Sequence, residues 1–390
     1  MLVLERFLLV TAFIWWGIGV YNLVERRRIP RLSKPPVPPE FGPNAPLVSI
    51  LVPARNEAER LLEPAIRSLL AQTYPQVEVV AVNDRSTDDT GLILERLAAE
   101  DSRLRVIQGK EPPLGWLGKP HALHQAAAAA HGEWLLATDA DVLFAPETVA
   151  TAMAEVQARK LDALTLLPRL GQGGFGVRAV MPMAIWDIQW IFPVSATNNP
   201  RSRRPALGCG AFFLLRRTAL EAIGGYEAVR NQVAEDVAVA TALKRAGWRL
   251  RIAGASDLLY TPMYANLRDI WYGFGKNAFA GSDFRVGRAV RGAAMIFLFA
   301  VLPLLLTIAG GMAWAGGAEQ WREVTGAAAL AYLSMVLAYL PAYRAFGVSG
   351  AYAFLSGLAQ GFMGLVSLYS MWRTVTGRGV SWRGRTVYRR

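Results

Sequence analysis

Hydrophobic positions follow three patterns along this chain. Residues 7–24 carry no charge over 18 positions, about the minimum for a helix that crosses a bilayer. From residue 47 to about 252, short apolar runs alternate with amphipathic ones. Further on, residues 292–318, 324–343 and 345–372 form uncharged stretches of 27, 20 and 28 positions, each long enough to span. In the middle region, residues 47–52, 77–82, 104–107, 134–137 and 161–167 read as strands. Asn56 with Glu59 three residues on forms a capping box and predicts a helix starting at Asn56. Ser86 and Asp89 give a second capping signal, ahead of a helix over 92–97. Pro120 in a first turn opens an Ala-rich helix that runs to His131. Strands alternating with helices predict an α/β domain with a largely parallel, doubly wound sheet.

Charge sharpens this picture. The net charge is +12, and only six of the 42 basic residues are lysines. Arg26, Arg27, Arg28, Arg31 and Lys34 follow the first apolar segment, and Arg285, Arg288 and Arg291 precede the second. Arg373, Arg378, Arg383, Arg385, Arg389 and Arg390 follow the last. Basic residues flanking apolar segments are the positive-inside signature of a membrane protein, and no nucleic-acid-binding motif accompanies them. The first segment lacks an A-x-A cleavage site and carries its basic cluster on the C-terminal side, so it reads as an uncleaved anchor. The expected organisation is a transmembrane anchor over 1–25, a stiff proline-rich linker over 26–46, an α/β domain over 47–285, transmembrane helices over 286–375 and a basic tail over 376–390. The expected location is the cell membrane, multi-pass, with the α/β domain cytoplasmic. One conflict stands: three later spans put the basic tail on the far side of the bilayer, against the positive-inside rule, unless one stretch is re-entrant or interfacial. With 53% hydrophobic residues and a single cysteine, Cys209, the chain forms no internal disulfide.

The candidate chemistry sits where the apolar runs end. Asp139 and Asp141 follow residues 134–137, and ligands of open α/β sheets bind outside the carboxyl ends of the strands. A D-x-D there presents two hard oxygen ligands, suited to Mg²⁺ or Mn²⁺ carrying a diphosphate. The alternative is a solvated turn. After the first strand, Pro53, Ala54, Arg55, Asn56 and Glu57 can offer backbone groups and a carboxylate to a ligand, or Asn56 and Glu57 can merely cap a helix. Asp84 ends the second strand, where a carboxylate can accept the N–H of a flat base; Asp88 and Asp89 read more simply as first-turn acids favoured by the helix dipole. Lys119 opens a helix and can meet a phosphate there, or it is a solvated lysine; Gly118-Lys119-Pro120 is not a Walker loop. Glu235 and Asp236 open a helix, either as dipole-favoured acids or as a general base for an acceptor hydroxyl. Residues 171–176 match G-x-G-x-x-G but sit after the fifth strand without the acid such a fingerprint needs, and read as a loop. The Met-, Trp- and Ile-rich residues 177–192 read as membrane-surface or acceptor-lining. His121, His124 and His131 lie on one predicted helix with no further His or Cys to complete a zinc site, and read as structural.

Taken in order, 48–57, 82–90, Gly118-Lys119, Asp139-Ala-Asp141, Gly208-Cys-Gly-Ala211, Gly224-Gly225-Tyr226 and Glu235-Asp236 resemble glycosyltransferase family 2, nucleotide-sugar transferases of the GT-A fold. The resemblance covers residues 47 to about 280. It implies a Rossmann-like, mostly parallel GT-A domain joined to transmembrane helices. Ala54, Arg55 and Glu57 would hold the base and ribose, Asp84 would accept from a uracil ring, and Pro53, Lys119 and Asp139 would complete the nucleotide-sugar site. Asp141, with Asp139, would bind the divalent metal. Asp236, beside Glu235, would deprotonate an acceptor hydroxyl for inverting attack. The Q-x-x-R-W motif of processive synthases is missing, with Arg268 to Asn277 in its place, which argues for single-sugar transfer. Residues 271–277 and 380–385 resemble a membrane subgroup acting on lipids, among them carotenoid glucosyltransferases and hopanoid-associated enzymes. The implied partners are a nucleotide-sugar donor, a lipid acceptor and the membrane.

Overall fold

The computed structural model describes residues 1–37, 39–382 and 385–387, with side chains up to residue 380. Of the tail arginines, Arg383, Arg389 and Arg390 lie outside the described residues. The chain forms two compact units, one of residues 28–171 and 192–263, the other of residues 1–27, 172–191 and 264–390.

The first unit is built on ten strands: β1 (Val48–Ala54), β2 (Val77–Asn83), β3 (Leu104–Gln108), β4 (Trp134–Ala137), β5 (Leu143–Phe144), β6 (Ala163–Leu167), β7 (Arg169–Leu170), β8 (Phe213–Arg216), β9 (Leu250–Gly254) and β10 (Leu259–Thr261). Seven form the main sheet in the order β3-β2-β1-β4-β8-β6-β9. β1, β2, β3 and β4 run parallel, and β6 runs parallel to β9. β8 is antiparallel to both its neighbours, β4 and β6. β5, β10 and β7 make a small second sheet. The apolar runs are continuous because the main sheet is covered on both faces. Ile50 and Val52 bury into one apolar layer and Leu51 into the other, all with 0% exposure. The layers are filled out by the helices at Leu62–Leu70, Thr90–Glu100, Gly118–Ala129, Thr148–Arg159, Val194–Asn198, Arg217–Ala222 and Glu235–Arg245.

The predicted helix start at Asn56 is wrong. The helix begins at Leu62, and Asn56 stands at φ +51°. Its side chain is used elsewhere: Asn56 Oδ1 accepts from the Thr87 N–H at 2.9 Å. The second helix starts at Thr90, but its Asp89 cap makes no side-chain hydrogen bond. Ser86 instead accepts from the backbone N–H of Asn56.

In the second unit, four helical segments are long and apolar enough to cross a membrane: Leu2–Arg28, Val286–Ala315, Glu319–Ala345 and Gly350–Val375. The second of these is nearly uncovered, with 11% of its most apolar window buried. Phe297, Leu298, Leu305, Ile308 and Met312 stand exposed along it. One π-helical turn, Phe297–Val301, interrupts it, and the Trp15 indole donates to the Phe299 carbonyl within that turn at 2.8 Å. Residues 177–192 fall almost wholly in the helix Phe175–Ile191 of this unit. That helix brings a carboxylate inside: Asp187 accepts from the Tyr339 hydroxyl and from the Gln360 amide, both at 2.7 Å, and Gln360 also donates to Tyr339 at 2.6 Å.

Candidate active site

The site assembles at the carboxyl ends of β1, β2 and β4. Parallel pairing in register sets Ala54 opposite Asn83, so the two strands end together. The loops beyond them are stitched by side chain to backbone bonds. Arg55 donates to the carbonyls of Asp84 and Arg85 at 2.7 and 2.9 Å. The Glu57 N–H donates to Thr90 Oγ1 at 2.8 Å, and the Ala58 N–H to Asp88 at 3.1 Å. Asp88 is therefore a loop-to-loop clasp rather than a simple first-turn acid; although burial opposes it, hydrogen bonds from Thr90 and Ala58 hold its carboxyl below the usual range. Asn56 in one loop and Arg85 in the other have φ of +51° and +55°, a left-handed conformation uncommon outside glycine. Glu57 and Asp84 are buried, at 2% and 4% exposure. Gly109 leaves room for this arrangement, since a Cβ there would fall 2.9 Å from the Asn83 carbonyl.

Beyond β4, the D-x-D is held by the antiparallel strand pair. The Asp139 N–H donates to the Gly210 carbonyl at 3.0 Å, and Thr138 Oγ1 donates to the Ala211 carbonyl at 2.8 Å. Gly208 and Gly210 let the Glu235–Asp236 turn approach. A Cβ at 208 would collide with the Asp236 carbonyl, and one at 210 would lie 2.9 Å from Lys119 Nζ, 3.1 Å from an Asp139 oxygen and 3.5 Å from an Asp236 oxygen. Asp139, Lys119 and Asp236 thus converge on one glycine. A small cavity opens here, floored by Leu123, Phe213 and Val239 and bordered by Lys119, Glu235 and Asp236.

Charge is arranged in two ion-paired groups. Lys119 Nζ lies 2.7 Å from Asp139 Oδ1 and 2.7 Å from Glu235 Oε1. Burial works against its charge, but Asp139, Glu235 and Asp236 outweigh that and hold the ammonium well above its ordinary range. Arg60 Nη1 lies 3.1 Å from Asp141 Oδ2 and 3.8 Å from Glu57 Oε2, while its Nη2 donates to the Met263 carbonyl at 3.2 Å. Burial, aided by the Asp139 charge, pushes the Asp141 carboxyl up. Burial and the Glu235 charge likewise raise Asp236 to about 6, and its Oδ1 accepts from the Val237 N–H at 2.8 Å. The Cys209 thiol, half-buried beside these charges, is pushed up to about 12 by burial, which disfavours the thiolate.

The structure therefore brings together Asp139, Asp141, Lys119, Glu235 and Asp236, and separately joins Pro53, Ala54, Arg55 and Glu57 to Asp84 through the two stitched loops. Arg60 was missed by sequence reasoning; its only signal is its position three residues after Glu57. His121 rests against the Trp116 ring, and His131 lies 3.1 Å from Glu78.

The donor set fits a hard divalent cation. Carboxylate oxygens suit Mg²⁺ or Mn²⁺. Among the described residues no group of three or more His, Cys, Asp or Glu side chains is placed to hold a metal ion. Mg²⁺ is commonly held by one or two carboxylates together with the phosphates of a substrate.

The family model for glycosyl transferase family 2 matches residues 49–224. The β-monoglucosyldiacylglycerol synthase of Nostoc sp. is 31% identical over 194 residues, 48% of this chain and 39% of that one. The poly-β-1,6-N-acetyl-D-glucosamine synthase of Staphylococcus epidermidis is 24% identical over 209 residues, 53% of this chain and 46% of that one. The chain thus spans less than half the length of these relatives. Among solved structures, the mannosyltransferase PcManGT of Pyrobaculum calidifontis, in complex with GDP-Man and Mn²⁺, superposes with a TM-score of 0.55 at 21% identity, covering 95% of this chain and 99% of that one. Its match shows the fold alone, a GT-A fold, and residues 49–224 carry the match to the glycosyl transferase family 2 model.

Proposed function

We propose that the protein transfers a single sugar from a nucleotide-sugar, a UDP-sugar, to a hydroxyl or carboxyl of a membrane lipid, with inversion at the anomeric carbon. The observation that carries this reading is the convergence of Asp139, Lys119 and Asp236 on Gly210 at the end of β4. Asp236 would accept the proton of the acceptor hydroxyl as its oxygen bonds to the anomeric carbon. The bond from that carbon to the donor's phosphate oxygen breaks, and the nucleoside diphosphate leaves with the electron pair. Lys119 stands beside Asp139 to take part of the diphosphate charge. A divalent metal, held by Asp139 and Asp141, would supply Lewis-acid stabilisation of the leaving group. Pro53, Ala54, Arg55, Glu57 and Asp84 would form the base and ribose site.

The lipid acceptor is supported by the four long apolar helical segments and by the lipid-glycosylating Nostoc relative. The same helices would place the protein in the cell membrane as a multi-pass enzyme with a cytoplasmic domain. The test is release of UDP from UDP-sugars by detergent-purified protein with Mn²⁺ or Mg²⁺, with and without a bacterial lipid extract. Lipid-dependent release, lost in Asp236→Asn, supports the reading. Formation of polymer without lipid would favour a polysaccharide synthase, and no release from any donor would refute transfer.

A further inference from the structure

We propose that Arg60 and Lys119 guard the D-x-D carboxylates and release them only to a nucleoside diphosphate, so that metal loads together with the donor and not ahead of it. This rests on the donor-site reading above and adds an order of loading to it.

Both aspartates of the D-x-D already have cationic partners. Lys119 bridges Asp139 and Glu235, and Arg60 bridges Asp141 and Glu57. Arg60 is also anchored from behind by its bond to the Met263 carbonyl. A free divalent cation approaching these carboxylates must compete with two fixed positive charges, and the protein offers it no cluster of three ligands among the described residues. Competition of this kind weakens metal binding in the absence of substrate. A diphosphate changes the balance. Guanidinium groups pair with phosphate oxygens in two-pronged geometry, and a lysine ammonium is a compact phosphate partner. Arg60 is 32% and Lys119 36% exposed, so neither cation is sealed off from an incoming phosphate. Each cation that moves leaves an aspartate with one positive partner fewer, and the diphosphate brings further oxygen ligands. Linkage then requires reciprocity: the nucleotide raises metal affinity by the same factor as metal raises nucleotide affinity.

The arrangement also separates the roles of the two cations. Lys119 touches both the D-x-D and the Glu235–Asp236 turn, so its move would be felt by the residue that accepts the acceptor proton. Arg60 touches only the donor half of the site among these groups. Its removal should alter metal loading without disturbing the Asp236 turn.

The test is Mn²⁺ binding to the detergent-purified full chain, read from the free-ion electron paramagnetic resonance signal, with UDP or GDP absent and saturating. Labelled nucleotide binding by equilibrium dialysis is measured in parallel. Wild-type protein should bind Mn²⁺ at least tenfold more tightly with nucleotide than without. Arg60→Gln should tighten nucleotide-free Mn²⁺ binding about fivefold and shrink the nucleotide effect. Lys119→Gln should act in the same direction, and Arg60→Gln keeps the test open should Lys119→Gln not fold. Equal Mn²⁺ affinity with and without a nucleotide that does bind would overturn the inference and leave the donor site standing. Nucleotide-free affinity unchanged in Arg60→Gln would also overturn it. Failure of both nucleotides to bind at any Mn²⁺ concentration would overturn the donor-site reading itself.

Discussion

Two acidic sites, one in each unit, are built on opposite plans. In the α/β unit, Asp139, Asp141 and Glu235 are each ion-paired to a lysine or arginine that keeps about a third of its side chain exposed. In the helical unit, Asp187 is held by a tyrosine hydroxyl and a glutamine amide, neutral donors that also bond to each other. The first plan places partly exposed cations next to carboxylates, which a ligand can displace. The second satisfies a carboxylate with fixed dipoles inside a closed network, which resists exchange. Buried carboxylates are costly in either setting unless hydrogen-bonded or paired, so burial alone does not mark a working site.

The comparison can be broken most forcefully at Asp236. Asp236→Asn should lower lipid-dependent transfer by ~10²–10⁴-fold, the usual worth of a general base, while labelled nucleotide still binds. Retained turnover would remove Asp236 from the chemistry. The same residue makes a pH prediction. Its carboxyl is raised from 3.8 to about 6, so transfer should fall as pH drops below about 6 and Asp236 gains a proton. Stability runs the other way. The folded chain holds that proton more tightly than the unfolded chain, so this stabilisation is complete below about 3.8 and lost as pH rises through about 6. Asp236→Asn should therefore be more heat-resistant than wild type at pH 7.5, by on the order of 1 kcal/mol. A lower melting temperature would contradict this.

A smaller effect is expected at the neutral site. Asp187→Leu leaves the Tyr339 hydroxyl without its acceptor and should destabilise the protein by about 1–3 kcal/mol. Thermal unfolding in detergent reads this, and nucleotide binding should stay unchanged. If nucleotide affinity drops at equal folding, the contrast between the two sites fails. Smaller again is Gly210→Ala, whose Cβ would press on Lys119 Nζ at 2.9 Å. Donor KM should rise several-fold with little loss of stability, because a lysine end can give way. Gly208→Ala, which drives a Cβ into the Asp236 carbonyl, should instead destabilise by about 1–3 kcal/mol through overpacking.

Where backbone pattern and chemistry coincide, the sequence is readable. Residues 134–137 are a short apolar run ended by acids, and they are β4 with Asp139 just beyond its carboxyl end. Prediction of the helix start at Asn56 goes astray because an Asn–x–x–Glu spacing serves two purposes. Here Asn56 turns left-handed to meet Thr87 across the neighbouring loop, a partner 31 residues away. Strands β8, β9 and β10 escape prediction for a related reason. β8 is four residues long and inserts antiparallel between β4 and β6, a placement that depends on partners distant in sequence. Arg60 is invisible for the same reason as Asp187: each is given meaning by contacts from far along the chain, Met263 and Asp141 for one, Tyr339 and Gln360 for the other.

The bare flank of the Val286–Ala315 segment has a practical consequence. Phe297, Leu298, Leu305, Ile308 and Met312 stand 38–72% exposed and together make a greasy strip. Acyl chains or detergent tails satisfy such a strip; water does not. Diluted below the micelle threshold, the protein has one ready substitute, the same strip on a second copy. Loss of amphiphile should therefore appear first as clumping of folded molecules, before either site unfolds.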